Sequence, residues 1–322
     1  MTRVNQVLAG LSLGLLLAAP ISAAEQVSVD YDLVYGRGLI GGDTPAERDL
    51  RMDWYRPATA EDTPRPAVIM AFGGSFVRGS KGDERFTENG AQDSSMAEYC
   101  QVFARQGFNC FSIEYRLAGE RPLLAEPIDA ERLMPEALAV TPQTTARIDI
   151  ARQAIGLPPM DDRLRAEFWQ ALLSASEDME TAVSHVRSQA ARYGVDPERI
   201  ALGGFSAGAI TAINAAYGRH VPVKAVVSLS GSTWGYLLPG HLPAQPPALL
   251  QLVGQDDLPG VIRGSGAVAR ALDSAGAVRR QAWVPGFGHF YPMSAVSLGD
   301  DFSRLSVEQR VVGFLREQLM AD

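Results

Sequence analysis

The stretch Ile200-Ala201-Leu202-Gly203-Gly204-Phe205-Ser206-Ala207-Gly208 decides how the chain is read. An apolar run enters, a G-x-S-x-G pentapeptide follows, and small residues from Ala209 to Tyr217 continue as a helix. That is a strand, a sharp turn and a helix, the arrangement that holds a serine in a strained elbow with its hydroxyl exposed. Gly204 and Gly208 fit this reading because side chains at those two positions would collide across the turn. The plainer alternative is a Gly-rich helix start with a serine cap; the strand in front of the pentapeptide favours the elbow.

Outward from the elbow, strands alternate with helices. Val27 to Val34 and Leu50 to Tyr55 read as opening strands, with turn chemistry between them. Ala67 to Phe72 is a continuous apolar run ending in Gly73-Gly74, the form of a strand covered on both faces. Met96 to Gln106 reads as a helix stopped by Gly107, and Cys110 to Glu114 as the next strand. Met179, Val183, Val186, Ala190 and Tyr193 form one helical stripe, after which Asp196-Pro197 turns the chain toward Ile200. Ala225 to Leu229, Ala248 to Val253 and Gln281 to Val284 are further strands, with helices at Val261 to Leu272 and Val307 to Leu319. The expected fold class is α/β, with a doubly wound, mostly parallel sheet. Residues 117–176 break the rhythm: they carry six prolines among amphipathic pieces such as Phe168 to Leu173. A crossover needs about a dozen residues, so this segment reads as a helical cap inserted over one end of the sheet, a flexible surface insertion being the alternative.

The chain has 322 residues, a formal net charge of −8 and no Lys/Arg cluster. Phosphate backbones require a clustered basic face, so a nucleic-acid partner is not expected. The overall acidity offers no attraction to anionic substrates, and a neutral small molecule is the expectation. Arg3, the apolar run Val7 to Ala19 and the small residues up to Ala24 read as a secretory signal, residues 1–24, leaving a single α/β domain at 25–322. The apolar run is shorter than the ~20 residues of a spanning helix. The mature protein is therefore expected to be secreted or periplasmic, without a stable membrane anchor; its oligomeric state is left open. In such a compartment Cys100 and Cys110 can pair. Each stands about 10 Å from Gly107, one up a helix and one up a strand, so a bridge is possible if the side chains face each other.

A serine hydroxyl needs a base. Of the four histidines, His289 in Gly286-Phe287-Gly288-His289-Phe290 sits just after the last expected strand, where a base belongs. His185 reads as a solvated-face residue, His220 as a helix-end residue, and His241 lies in a Pro-rich loop. An acid must orient the base, and Gly254-Gln255-Asp256-Asp257 offers two candidates at a strand end, in the chain order serine, acid, histidine. For the oxyanion, the turn Gly73-Gly74-Ser75 follows an apolar strand, so the N–H groups of Gly74 and Ser75, with that of Ala207, can face the developing charge. Trp234 and Tyr236, after the strand ending near Gly231, are candidates to line a substrate pocket or to pack against the cap.

With these segments in view, the chain resembles the carboxylesterase/lipase branch of the α/β-hydrolase superfamily over nearly all of its mature length. The segments Phe72 to Ser80, Glu114 to Leu117, Tyr193 to Gly208, Gly254 to Asp257 and Gly288-His289 carry the resemblance. It implies an α/β-hydrolase fold, a Ser206–Asp257–His289 triad, no metal or organic cofactor, and hydrolysis of small carboxylic esters through an acyl-enzyme. It also selects Asp257 over Asp256, since the family's acid stands three residues after the strand-closing glycine. Two positions depart from the pattern: Phe72 stands where the family usually has His, and Ser75 where it usually has Gly or Ala. These bear on the rigidity of the oxyanion loop and on acyl preference. Feruloyl or polyester substrates, a serine peptidase of the same fold and a catalytically inactive binding protein are the competing readings.

Overall fold

The apolar run before Gly73 becomes a strand with all seven residues buried, Arg65–Ala71, near the middle of the sheet. The structure is a computed structural model and describes residues 26–59 and 63–320; the segment 1–24 read as a secretory signal lies outside the described residues. In chain order the elements are β1 (Val27–Ile40), β2 (Ala46–Pro57), β3 (Arg65–Ala71), the short pair β4 (Thr87–Glu88) and β5 (Ala91–Gln92), α1 (Met96–Arg105) and β6 (Asn109–Ile113). Then come α2 (Glu136–Ala139), α3 (Ala146–Gln153), α4 (Asp162–Ser188), α5 (Ala190–Tyr193), β7 (Val195–Phe205), α6 (Ala207–Ile213) and β8 (Ala225–Leu229). The chain closes with β9 (Ala248–Gly254), α7 (Pro259–Ser274), β10 (Arg279–Val284), β11 (Val296–Gly299), β12 (Arg304–Ser306) and α8 (Val307–Leu319). Among the described residues no helix is long and apolar enough to cross a membrane.

The main sheet runs β1-β2-β6-β3-β7-β8-β9-β10-β11-β12. From β6 to β10 every pair is parallel, and antiparallel strands flank this block on both sides. The fold class expected from the sequence is the one observed. Val195–Phe205 continues as a strand through Asp196-Pro197, with an irregularity in its pairing to β3, where the sequence suggested only a turn. The antiparallel edge β11–β12 was not expected; its strands have only four and three residues, and only the first alternates in burial, too little to stand out from a loop.

One boundary moves. The helix after the insertion begins at Asp162, not near 179, because Phe168, Leu172, Ala175, Met179, Val183 and Val186 form one unbroken buried stripe. Between Asp162 and Ser188 there is no Gly or Pro to interrupt it, and Asp161 caps its start by accepting from the Leu164 N–H. The last part of the segment 117–176 therefore belongs to a core helix of 27 residues, which the stretch up to 161 precedes.

That stretch is stitched down along its length. Leu123 bridges to Leu39; Met134 N–H donates to the Gly235 carbonyl, Leu237 N–H to that of Arg132, and Trp234 Nε1 to that of Ala139. Its root is Arg116, 1% exposed, whose guanidinium meets Asp178 and Glu177 of α4 and the carbonyls of Leu39 and Leu123. Cys100 of α1 and Cys110 of β6 form a disulfide, with their Cα atoms 5.1 Å apart.

Candidate active site

Ser206 follows the last residue of β7 and precedes the first of α6. Its backbone is held at φ 53°, ψ −113°, a conformation a non-glycine residue adopts only where its surroundings impose it. The glycines make that possible. A Cβ on Gly208 would stand 2.0 Å from the Ala71 carbonyl oxygen, and one on Gly204 would stand 2.5 Å from Gly208 itself. Both positions exclude any side chain, as the sequence reading required.

His289 Nε2 lies 2.8 Å from Ser206 Oγ, and His289 Nδ1 lies 2.6 Å from Asp257 Oδ1. Asp257 is 4% and His289 6% exposed, so this chain of hydrogen bonds is screened from water while the serine faces a cavity. Asp256 points to solvent. The Asp257 carboxylate accepts further bonds from the Gly254 and Leu258 N–H groups and from Ser230 Oγ, at 3.2, 2.7 and 2.6 Å. Tyr291 Oη lies 3.2 Å from Ser230 Oγ and donates to the Leu252 carbonyl. Burial pushes the Tyr291 phenol well above its ordinary range, which keeps it protonated and able to donate. Ser230 and Tyr291 had no signal in the sequence: neither belongs to a recognisable spacing, and only the packing of three strand ends brings them together.

The loops bearing acid and base are fixed on each other through bare backbone. A Cβ on Gly254 would fall 1.9 Å from the Gly288 carbonyl oxygen, and Asp256 N–H donates to the Phe287 carbonyl. Underneath, the Phe205 ring contacts those of His289, Phe290 and Tyr291 at centroid distances of 5.6, 5.8 and 5.6 Å.

Opposite the serine, Gly74, Ser75 and Ala207 line the same cavity. Gly74, Ser75 and Phe76 all have positive φ, 110°, 62° and 59°, so the turn after β3 is tightly wound. It is braced from below: Phe72 stacks on Tyr115 with centroids 4.4 Å apart, and Tyr115 Oη donates to the Phe72 carbonyl. An apolar stack thus supports the loop at the position where the resemblance led one to expect a histidine.

The cavity measures about 600 Å³ and is roofed by Ile148, Ile150, Ala151 and Ala154 of α3 and its C-terminal end, with Trp234, Ile210 and Phe86 on its walls. Trp234 therefore stands where a pocket residue was expected. Tyr236 does not: it is 1% exposed, is absent from the lining and packs against Gly218, behind the wall. Two residues past Trp234 the chain has turned inward. His185 also departs from the sequence reading, being half-buried with Nε2 3.0 Å from Tyr193 Oη; burial and Arg192 lower its pKa. Among the described residues no group of three or more His, Cys, Asp or Glu side chains is arranged to hold a metal ion.

The strand order and the elbow at the end of β7 define the α/β-hydrolase fold. The family model BD-FAE matches residues 164–234, the segment from α4 through the elbow to Trp234. Among solved structures, the chain is similar to the thermophilic esterase 2 of the planctomycete Thermogutta terrifontis, at 16% identity over 92% of each chain with a TM-score of 0.53. The same esterase phosphoramylated by tabun aligns at 17% identity over 94% of this chain and 96% of the other, with a TM-score of 0.54. A truncated carbohydrate esterase from gut microbiota aligns at 16% identity over 94% of this chain and all of the other, with a TM-score of 0.57. No curated protein matches the chain. Esterase-type α/β-hydrolases are thus what this chain is similar to, by segment and by fold.

Proposed function

We propose that the protein is an exported serine hydrolase that cleaves carboxylic esters of small molecules through an acyl-enzyme. The observation that carries the proposal is the continuous hydrogen-bond chain Ser206–His289–Asp257 at the floor of a cavity of about 600 Å³. Ser206 Oγ attacks the ester carbonyl as its proton passes to His289 Nε2. Asp257 holds the ring by its Nδ1–H and stabilises the imidazolium that forms. The carbonyl oxygen takes the negative charge and is met by the N–H groups of Gly74, Ser75 and Ala207, the last standing in the first turn of α6, where backbone donors have no partner within the helix. His289 then gives its proton to the departing alcohol and activates the water that frees the acid. Trp234 contributes an aromatic wall for the substrate. No step requires a cofactor. The signal-like segment 1–24 and the Cys100–Cys110 disulfide support a secreted or periplasmic location.

A fluorophosphonate probe tests the class. The expectation is one label, at Ser206, lost in Ser206→Ala together with several orders of magnitude of turnover on a p-nitrophenyl ester panel that includes methyl ferulate alongside. Turnover by Ser206→Ala within about tenfold of the unmodified protein overturns the mechanism.

A further inference from the structure

The chain carries a net charge of −8, but the cavity does not share it. Its charged lining residues are Arg78, Arg147, Arg263 and Glu88. Arg147 and Glu88 neutralise each other through two parallel bonds of 2.6 and 2.9 Å. Arg78 and Arg263 have no carboxylate partner among the described residues, whereas most of the other arginines are tied into ion pairs with surface acids.

Arg78 is also placed with care. Its guanidinium carbon lies 4.6 Å from the centroid of the Phe86 ring, and the tip of that ring is 3.2 Å from where a Cβ on Gly74 would stand. Its own N–H donates to the Gly74 carbonyl, so the side chain springs from the turn that presents the oxyanion donors. Its Nε is buried without a hydrogen-bond partner. An acceptor entering the cavity therefore meets the two terminal nitrogens of the guanidinium, for which no protein carboxylate competes among the described residues. Arg263 is exposed and lines the same cavity, as do Pro259, Gly260 and Val261 of the first turn of α7.

We propose that the ester substrate carries a carboxylate away from its scissile bond, and that Arg78 binds it while Arg263 draws it to the cavity. The remote carboxylate takes no part in bond making: Ser206 Oγ still adds to the ester carbonyl and expels the alcohol, and water still adds to the acyl-enzyme and frees the acid. A planar guanidinium matches a carboxylate through two parallel N–H bonds, which a neutral acyl chain cannot use. The overall acidity of the chain, which pointed toward neutral substrates, describes its outer surface; the local lining has the opposite sign. The inference rests on the ester-hydrolase reading of Ser206.

Two matched pairs test it: mono-p-nitrophenyl glutarate against p-nitrophenyl valerate, with the charge on the acyl side, and 4-acetoxybenzoate against its methyl ester, with the charge on the alcohol side. In at least one pair the carboxylate member is expected to have a kcat/KM roughly ten- to a hundredfold higher, mainly through KM, as suits one charge-assisted contact. That ratio should fall with added salt. In Arg78→Met the ratio should collapse toward unity whatever happens to the absolute rates, and in Arg78→Lys it should partly return. Arg263→Ser should flatten the salt dependence, and it serves as an independent arm if Arg78→Met does not fold. Turnover of the neutral esters with no preference in either pair, or a preference untouched by Arg78→Met, overturns this inference and leaves the ester-hydrolase reading standing. Absence of fluorophosphonate labelling and of all ester turnover overturns that underlying reading instead.

Discussion

Asp256 and Asp257 follow β9 in a tight turn closed by the Asp257 N–H on the Gly254 carbonyl, and that turn sends one to water and the other beneath His289. Their difference in function is thus one of direction, and isosteric amides report it. Asp257→Asn is expected to lower kcat by about 10⁴, since an amide in place of the carboxylate favours the wrong imidazole tautomer. Asp256→Asn should stay close to the unmodified rate; the reverse ranking would move the acid to Asp256, and small losses from both would mean that it comes from elsewhere. A second carboxyl has a different fate. Asp93 accepts the Phe86 N–H at 2.6 Å, and burial pushes its pKa up to about 7 from 3.8. The folded chain therefore holds a proton there that the unfolded chain releases near pH 4. Stability is fully retained below that point and is lost progressively as pH rises to about 7. Asp93→Asn keeps the acceptor and removes the charge. Its Tm should match the parent near pH 4 and exceed it increasingly up to pH 8, whereas parallel Tm curves would refute the assignment.

At the scale of elements, the ion cluster at Arg116 joins β6, β1 and α4 in a buried setting. Removing its cation leaves Asp178, itself 1% exposed, without a counter-charge. Arg116→Met is expected to cost about 3–5 kcal/mol of unfolding free energy in a urea titration, while replacing the more exposed Arg121, which pairs with Asp43 and Glu167, should move the urea midpoint far less. The elements that the sequence made legible are those whose pattern is local. The G-x-S-x-G turn announces itself because two glycines and a serine are all fixed by one backbone collision, and β3, β8 and β9 announce themselves because central parallel strands are apolar on both faces. The start of α4 was misjudged although its stripe was present, because a loop-like, proline-rich prelude drew the boundary too late. Ser230, Tyr291 and Arg78 were invisible for another reason: what each does depends on partners 27, 61 and 8 residues away, and no periodicity encodes such meetings. Tyr236 was assigned to the pocket by its nearness to Trp234 in sequence, which the inward turn of the chain undoes.

Over the whole molecule, the stretch above the serine is tied to the body from several directions: to β1 by Leu123, to the segment around Gly235 by Met134, Arg132 and Ala139, and to the β4–β5 hairpin by Arg147. Its last residues run directly into α4, whose 27 residues rise about 40 Å along the sheet. A lid that must swing aside at an oil–water boundary needs few such ties and a hinge at each end. With this roof bolted down, catalysis should be indifferent to the physical state of its substrate. The rate on p-nitrophenyl esters of increasing chain length is expected to rise smoothly with concentration and to pass through the critical micelle concentration without a jump. A sharp acceleration there would mean that the ties at Met134, Ala139 and Arg147 open together, and that the entrance is a door rather than a window.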